Sequence, residues 1–245
     1  MKQEKILLIL LIVLIFTLNY NLIDSFLIKT FEDYEIGIVE RVVDGDTVII
    51  NGTSTRLLGI NSPEKGEIGY LEAKKFLEKN ILNESVKIYF GKDKTDRYGR
   101  KLGYIFLNSK NINLESVRRG YSNYYFPSGK DEYYYKFVEA WSECLDENVR
   151  LCEKSLDGCV VLEDWNIKNQ IVVLKNICNQ NINLAGWSVK DEGRKKYVFN
   201  YFILEKFEEI ELRTEDWEEN YVWTSSGDSI FVRDSKNKLV IFDSY

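Results

Sequence analysis

Apolar and polar residues alternate through Tyr34–Val43 (YEIGIVERVV), and short apolar runs follow in Asp46–Gly52 (DTVIING) and Thr55–Ile60 (TRLLGI). Alternation turns one side of an extended segment toward a core, so residues 34–60 predict three strands. The turns between them, DGD at 44–46 and NGTS at 51–54, have hairpin chemistry. From Glu67 to Leu82 the period lengthens: Tyr70, Ala73, Leu77 and Ile81 recur every three or four residues, which predicts a helix. SVKIYF at 85–90 reads as a strand, GKDKTDRYGRK at 91–101 as a charged loop, and LGYIFLN at 102–108 as another strand. An amphipathic helix, INLESVRRG, ends at Gly120, a suitable C-cap, and a further helix over 131–147 aligns Tyr134, Phe137, Val138, Trp141 and Leu145. Five short strands with an inserted helix suit a small closed barrel of the OB type.

The pattern changes near Cys159. Thereafter nearly every segment reads as a strand (CVVLEDW, QIVVLKN, GWSVKD, KKYVFN, EEIELRT, NYVW, SIFVRDS, LVIFDSY), with turns about every eight to twelve residues. The expectation is an α+β OB-type five-stranded barrel with helices over 34–155, then an all-β immunoglobulin-like sandwich over 159–245. The boundary falls at 155–159.

Ahead of both lies an apolar run, Ile6–Leu18, preceded by Lys2 and Lys5. Its length suits a signal-peptide core; extended to Ile23 it becomes a membrane anchor. No small-residue cleavage site follows, so residues 1–28 read as a hydrophobic helix serving as signal peptide or anchor. The membrane is then engaged through residues 6–23, the lysines stay inside and the rest of the chain lies outside. A buried core helix is the alternative.

The chain carries a net charge of −6, so phosphate recognition must be local rather than spread over the surface. Histidine is absent, which removes imidazole acid–base pairs and histidine-bound metals. Hydrolytic chemistry must then use carboxylates, arginines and a hard cation held through oxygen. The four cysteines, at 144, 152, 159 and 178, form no C-x-x-C pair, which argues against zinc. Three disulfide pairings are open; an exported chain favours Cys144–Cys152 with Cys159–Cys178, whereas an intracellular one would keep four thiols.

One short region concentrates candidate chemistry. Arg56, Asn61, Ser62 and Glu64 flank a turn that holds one of the chain's two prolines. Asp46 sits at a hairpin mouth upstream, and Arg97, Tyr98 and Arg100 sit downstream in a loop, Lys92–Lys101, with five positive and two negative groups. Hydrolysis of a phosphodiester builds negative charge on its oxygens. A divalent cation offsets that charge, two guanidiniums clamp the oxygens, and a carboxylate prepares the water. Each residue also has a plain structural reading: a strand-end arginine in a surface ion pair, a turn aspartate, a solvated basic loop.

DGDTV, RLLGINSPE and TDRYGR, in this order, resemble the staphylococcal nuclease (thermonuclease) family over residues 34–155. The resemblance implies Arg56 and Arg100 as catalytic arginines and Glu64 as catalytic glutamate. It implies Asp46, Asn61 and Ser62 as the calcium ligands, Ser62 through its carbonyl. It also implies calcium-dependent cleavage of DNA and RNA. Asn61 departs from the family's aspartate, keeping an oxygen but losing a charge, and Glu67 stands near enough in sequence to help. Arg97 and Tyr98 are candidate substrate contacts. VVLKNICNQNINLAGWSVKDEG resembles a lamin-tail domain, with Asn176, Gly186 and Trp187 carrying the match; its partner is not readable from the residues. Two functions follow: a tethered or secreted calcium-dependent nuclease, or a nuclease-like module that binds nucleic acid or protein without cleaving.

Overall fold

The computed structural model describes residues 34–245; the expected N-terminal signal or anchor lies outside them. β1 (Tyr34–Val42), β2 (Thr47–Ile50) and β3 (Thr53–Leu57) form an antiparallel meander. β4 (Gly59–Asn61) follows, then α1 (Tyr70–Ile81), β5 (Ser85–Thr95), β6 (Lys101–Leu107) and β7 (Lys110–Asn111). β5 pairs with both β1 and β6, and β6 returns parallel to β3, so β1, β2, β3, β6 and β5 close into a ring. This is the expected five-strand barrel. α2 (Ile112–Arg118), β8 (Asn123–Tyr125) and α3 (Tyr134–Glu147) complete the half, with β8 pairing β4.

Two boundaries differ from expectation for local reasons. TRLLGI is not one strand, because Gly59 adopts φ +74° and separates β3 from β4. A Cβ there would lie 3.0 Å from the Phe137 ring, so the turn also needs glycine for space. β5 runs on into the expected charged loop as far as Thr95, and a register shift between Phe90 and Thr95 absorbs the change of direction.

The second half contains β9 (Val160–Asn166), β10 (Ile171–Asn176), β11 (Ile182–Asn183), β12 (Ser188–Lys190), β13 (Lys196–Val198), β14 (Ile203–Leu204), β15 (Glu209–Leu212), β16 (Ser229–Arg233) and β17 (Leu239–Ser244). The orders β15-β10-β9 and β13-β12-β16-β17 define its two main sheets, and β11 pairs β14. Val172, Leu174 and Leu212 from one sheet share a core with Val189, Ile230 and Val232 from the other. NYVW, expected as a strand, is not one. The Gln170 Oε1 accepts from the backbone N–H groups of Val222 and Trp223, at 2.6 and 2.9 Å, and a side chain replaces a ladder.

Residues 36–245 pack as one compact unit. Phe231, Leu239 and Phe242 from the second half join the core of the first, where the Trp141 and Phe231 rings are 5.5 Å apart. Cys144 bonds to Cys152 and Cys159 to Cys178, the pairing that export favoured. Among the described residues no helix is long and apolar enough to cross a membrane.

Candidate active site

The β1–β2 hairpin is closed by Asp44, whose Oδ1 accepts from the Asp46 N–H at 3.0 Å. Gly45 lets this turn sit against α1: a Cβ there would fall 2.6 Å from Ala73 and 2.7 Å from Ser62. The turn thus delivers the Asp46 carboxylate into the barrel end, 3% exposed. Arg56 faces Thr47 across the β2–β3 ladder, and its Nη1 lies 3.0 Å from Asp46 Oδ1. The same nitrogen donates to the carbonyls of Asp46 and Leu57. Ser62 donates both its N–H and its Oγ to Asp46 Oδ2, each at 3.0 Å, and Thr47 Oγ1 donates to Oδ1. Four donors therefore surround one carboxylate. Burial, and then the neighbouring Asp46 charge, raise the Asp44 carboxyl above its ordinary range.

Arg100 immediately precedes β6. β3 and β6 run parallel with Thr55 opposite Lys101 and Arg56 opposite Leu102, two residues beyond Arg100. Asp96 fixes the loop, accepting from the Arg100 and Tyr98 N–H groups on Oδ1 and from Arg100 Nε on Oδ2. Burial would raise the Asp96 carboxyl, but the bonds from Arg100 outweigh it and hold the group below its usual range. Arg97 stacks on Tyr98, its guanidinium 4.8 Å from the ring centre, and Tyr98 is 69% exposed. Among the described interactions no bond joins Arg97, Tyr98 or Arg100 to Asp46, Arg56 or Ser62.

Asn61 and Glu64 meet residues that no sequence reading singled out. Asn61, at the end of β4, donates Nδ2 to the carbonyl of Gly193 at 2.6 Å and that of Glu192 at 3.3 Å. Glu64 Oε1 meets Arg194 Nη2 at 2.7 Å. Asn123, opposite Asn61 in the β4–β8 pair, donates to Glu192 O at 2.8 Å, and Glu192 Oε1 accepts from the Phe126 N–H. The β12–β13 turn of the second half therefore lies over the strand end that carries Asn61 and Glu64. Its only mark in the sequence is the charged turn KDEGRKK, which carries no information about a contact more than 130 residues away. Burial pushes the Asp191 carboxyl up to about 7 and the Glu192 carboxyl up to about 8. Glu67, considered as a helper for Asn61, is occupied: Oε1 pairs with Lys196 at 2.8 Å and Oε2 accepts from the Glu64 N–H.

For a hard cation the donor chemistry is appropriate. Asn61 Oδ1 is buried with no hydrogen-bond partner among the described residues, and the next residue, Ser62, bonds Asp46. Among the described residues no group of three acidic, histidine or cysteine side chains stands ready to hold a metal. A cation here would share Asp46 with its present donors.

The model of the staphylococcal nuclease homologue family matches residues 54–149. Over 150 aligned residues the chain is 37% identical to uncharacterized protein MJ1439 of Methanocaldococcus jannaschii, covering 47% of this chain and 71% of that protein. The chain belongs to the staphylococcal nuclease homologue family. It is also 29% identical over 127 residues to a thermonuclease of Staphylococcus intermedius, covering 48% of this chain and 76% of the relative. Endonuclease YhcR of Bacillus subtilis matches at 31% over 128 residues, 44% of this chain but 10% of that protein. The family match ends before β9, so Glu192 to Lys196, which contact the site, come from outside it.

Proposed function

We propose that this chain is a calcium-dependent nuclease that hydrolyses phosphodiester bonds of DNA, RNA or both. The observation that carries the reading is the convergence of Asp46, Arg56 and Ser62 in one bonded cluster, with Arg100 in the loop immediately ahead of β6, the strand that pairs with β3. Asp46, Asn61 and the Ser62 carbonyl would hold the cation, which supplies charge stabilisation and a polarised water. Arg56 and Arg100 clamp the phosphate oxygens and stay charged at any working pH. Glu64 orients or deprotonates the attacking water. Arg97 and Tyr98, exposed on the neighbouring loop, contact the substrate strand. Export, by secretion or with a membrane tether, is supported by the two disulfides.

The β12–β13 turn belongs to this reading. With Arg194 on the proposed base and Gly193 on a proposed ligand, the turn holds the site in a closed form, and catalysis requires Glu64 to exchange Arg194 for water. The test is digestion of plasmid DNA and of RNA by the full chain over a calcium titration, with a chelator arm. Cleavage that depends on calcium is expected, and a Glu64→Ala chain that folds should lose ~10²-fold or more of the turnover. Binding of nucleic acid without cleavage would establish the non-catalytic module instead.

A further inference from the structure

The second half presents an unusual sheet face. In the β13-β12-β16 ladder Lys190 stands opposite Lys196 and Phe231, and Ser188 stands opposite Val198 and Arg233. Alternation places these six side chains on one side of the sheet. They form one wall of a cavity of ≈ 240 Å³ that Glu67 and Asn123 also line.

Three cations thus share a wall, and two lysines face each other directly, an arrangement that destabilises an antiparallel pair. Glu67 forms an ion pair with Lys196, while Asp191 acts on Lys190, and Asp234 on Arg233, through space without an ion pair. Lys190 is half-buried and reaches Asn123 Oδ1 only at 3.5 Å. Arg233 is 7% exposed and donates Nη1 to the carbonyl of Asn237 at 3.1 Å. Among the described residues neither has an ion pair. Asp234, the other acid at the cavity, has both oxygens engaged: Oδ1 takes the Lys236 and Lys238 N–H groups and Oδ2 takes Ser155 Oγ. Burial pulls the Lys190 ammonium down to about 8 and the Arg233 guanidinium down to about 10. A charge buried without a partner is costly, and the usual remedy is a counter-charge.

We propose that this cavity binds a phosphate-class oxyanion, either free phosphate or the terminal phosphate of a nucleotide, between Lys190, Lys196 and Arg233. A guanidinium fork matches two oxygens of a tetrahedral anion, and ammonium groups take the others. At roughly 30 Å³ per water, the cavity holds such an anion with part of its hydration shell. It has no room for a duplex.

The test is calorimetric titration and thermal unfolding of the full chain with sodium phosphate at constant ionic strength. A chelator is present throughout, so that the readout is binding and no metal-dependent cleavage occurs. Saturable binding that raises the unfolding temperature is expected. Lys190→Met and Arg233→Met should each weaken it about tenfold or more, as loss of a charged hydrogen bond does, while Lys168→Met on a distant turn should leave it unchanged. Lys190→Met should also raise the unfolding temperature in phosphate-free buffer, because it removes an unpaired cation. If Arg233→Met does not fold, the half-buried Lys190 position decides. A 3'-phosphorylated mononucleotide that binds no tighter than phosphate identifies the free anion as ligand; one that binds tenfold tighter identifies a nucleotide end. Absence of saturable binding into the millimolar range, or equal affinity in the Lys190 variant, overturns the proposal. Either result leaves the nuclease reading to its own digestion assay.

Discussion

Two arginine–carboxylate pairs sit near Ser62, and their lengths are alike: 3.0 Å for Arg56 with Asp46 and 2.7 Å for Arg194 with Glu64. Their surroundings are not. The first pair is 10% and 4% exposed; the second is 62% and 50% exposed. In the first, removal of one partner strands a buried charge. In the second, water takes over each partner at little cost. The comparison separates a pair fixed by burial from a pair whose partners water can replace. Arg56 lies within the family match and Asp46 ahead of it, whereas Arg194 comes from the β12–β13 turn beyond the match.

The largest effect should come from the fixed pair. Arg56→Ala should destabilise the protein by roughly 3–5 kcal/mol in chemical unfolding, because Asp46 keeps its burial and loses its cation. Arg56→Lys keeps the charge and loses the fork. It should retain most of the stability but lower cleavage by ~10²-fold or more. Equal losses of stability in the two variants would show that Arg56 serves shape rather than charge.

Next is Asn61→Asp, which restores a charge at the point where the turn closes. Its carboxylate would face the carbonyls of Gly193 and Glu192 that now accept from Nδ2. Stability should fall by about 1–3 kcal/mol, the cost of an abandoned buried hydrogen bond. Calcium affinity, followed by calorimetry, should rise. The amide at this position is thus explained by its partner: only a donor can hold two carbonyl oxygens.

A pH test follows. Asp191 has a folded-state value of about 7, raised by burial from the ordinary carboxylate range. An acid whose value rises on folding costs stability once it ionises. The unfolding temperature should therefore decline as pH climbs from about 4 through about 7, and Glu192, raised to about 8, should carry the decline on to about pH 8. The held-down acids Asp96 and Glu115 act below that window with the opposite sign, losing their contribution as pH falls. Asp191→Asn keeps an acceptor for the Lys195 N–H and should flatten the decline. An unchanged profile would place the turn's acids in water.

The smallest effect should be Arg194→Ala. Loss of so exposed a pair should change stability by less than about 1 kcal/mol, and freeing Glu64 should raise cleavage ~2- to 5-fold, the same energy read as a rate. A fall in cleavage would instead make Arg194 part of the catalytic set.

Local pattern determined a good deal of this protein. Alternation placed β1 to β3, the three- and four-residue spacing placed α1 and α3, and turn chemistry placed the Asp46 hairpin. These depend on neighbours a few residues away, whose side chains and dihedrals are set by short-range sterics. DGDTV and RLLGINSPE marked Asp46, Arg56 and Ser62, which the barrel then bonded together because β2–β3 register sets Thr47 opposite Arg56. Only the tertiary structure decided that Asn61 and Glu64 are met from another half of the chain, and that Lys190, Lys196 and Arg233 share a wall. Those contacts join residues far apart in sequence, through a sheet whose pairing no local pattern encodes. They depend on how the two halves pack around Trp141, Phe231 and Phe242, a matter of shape and burial that appears only when the whole core is assembled.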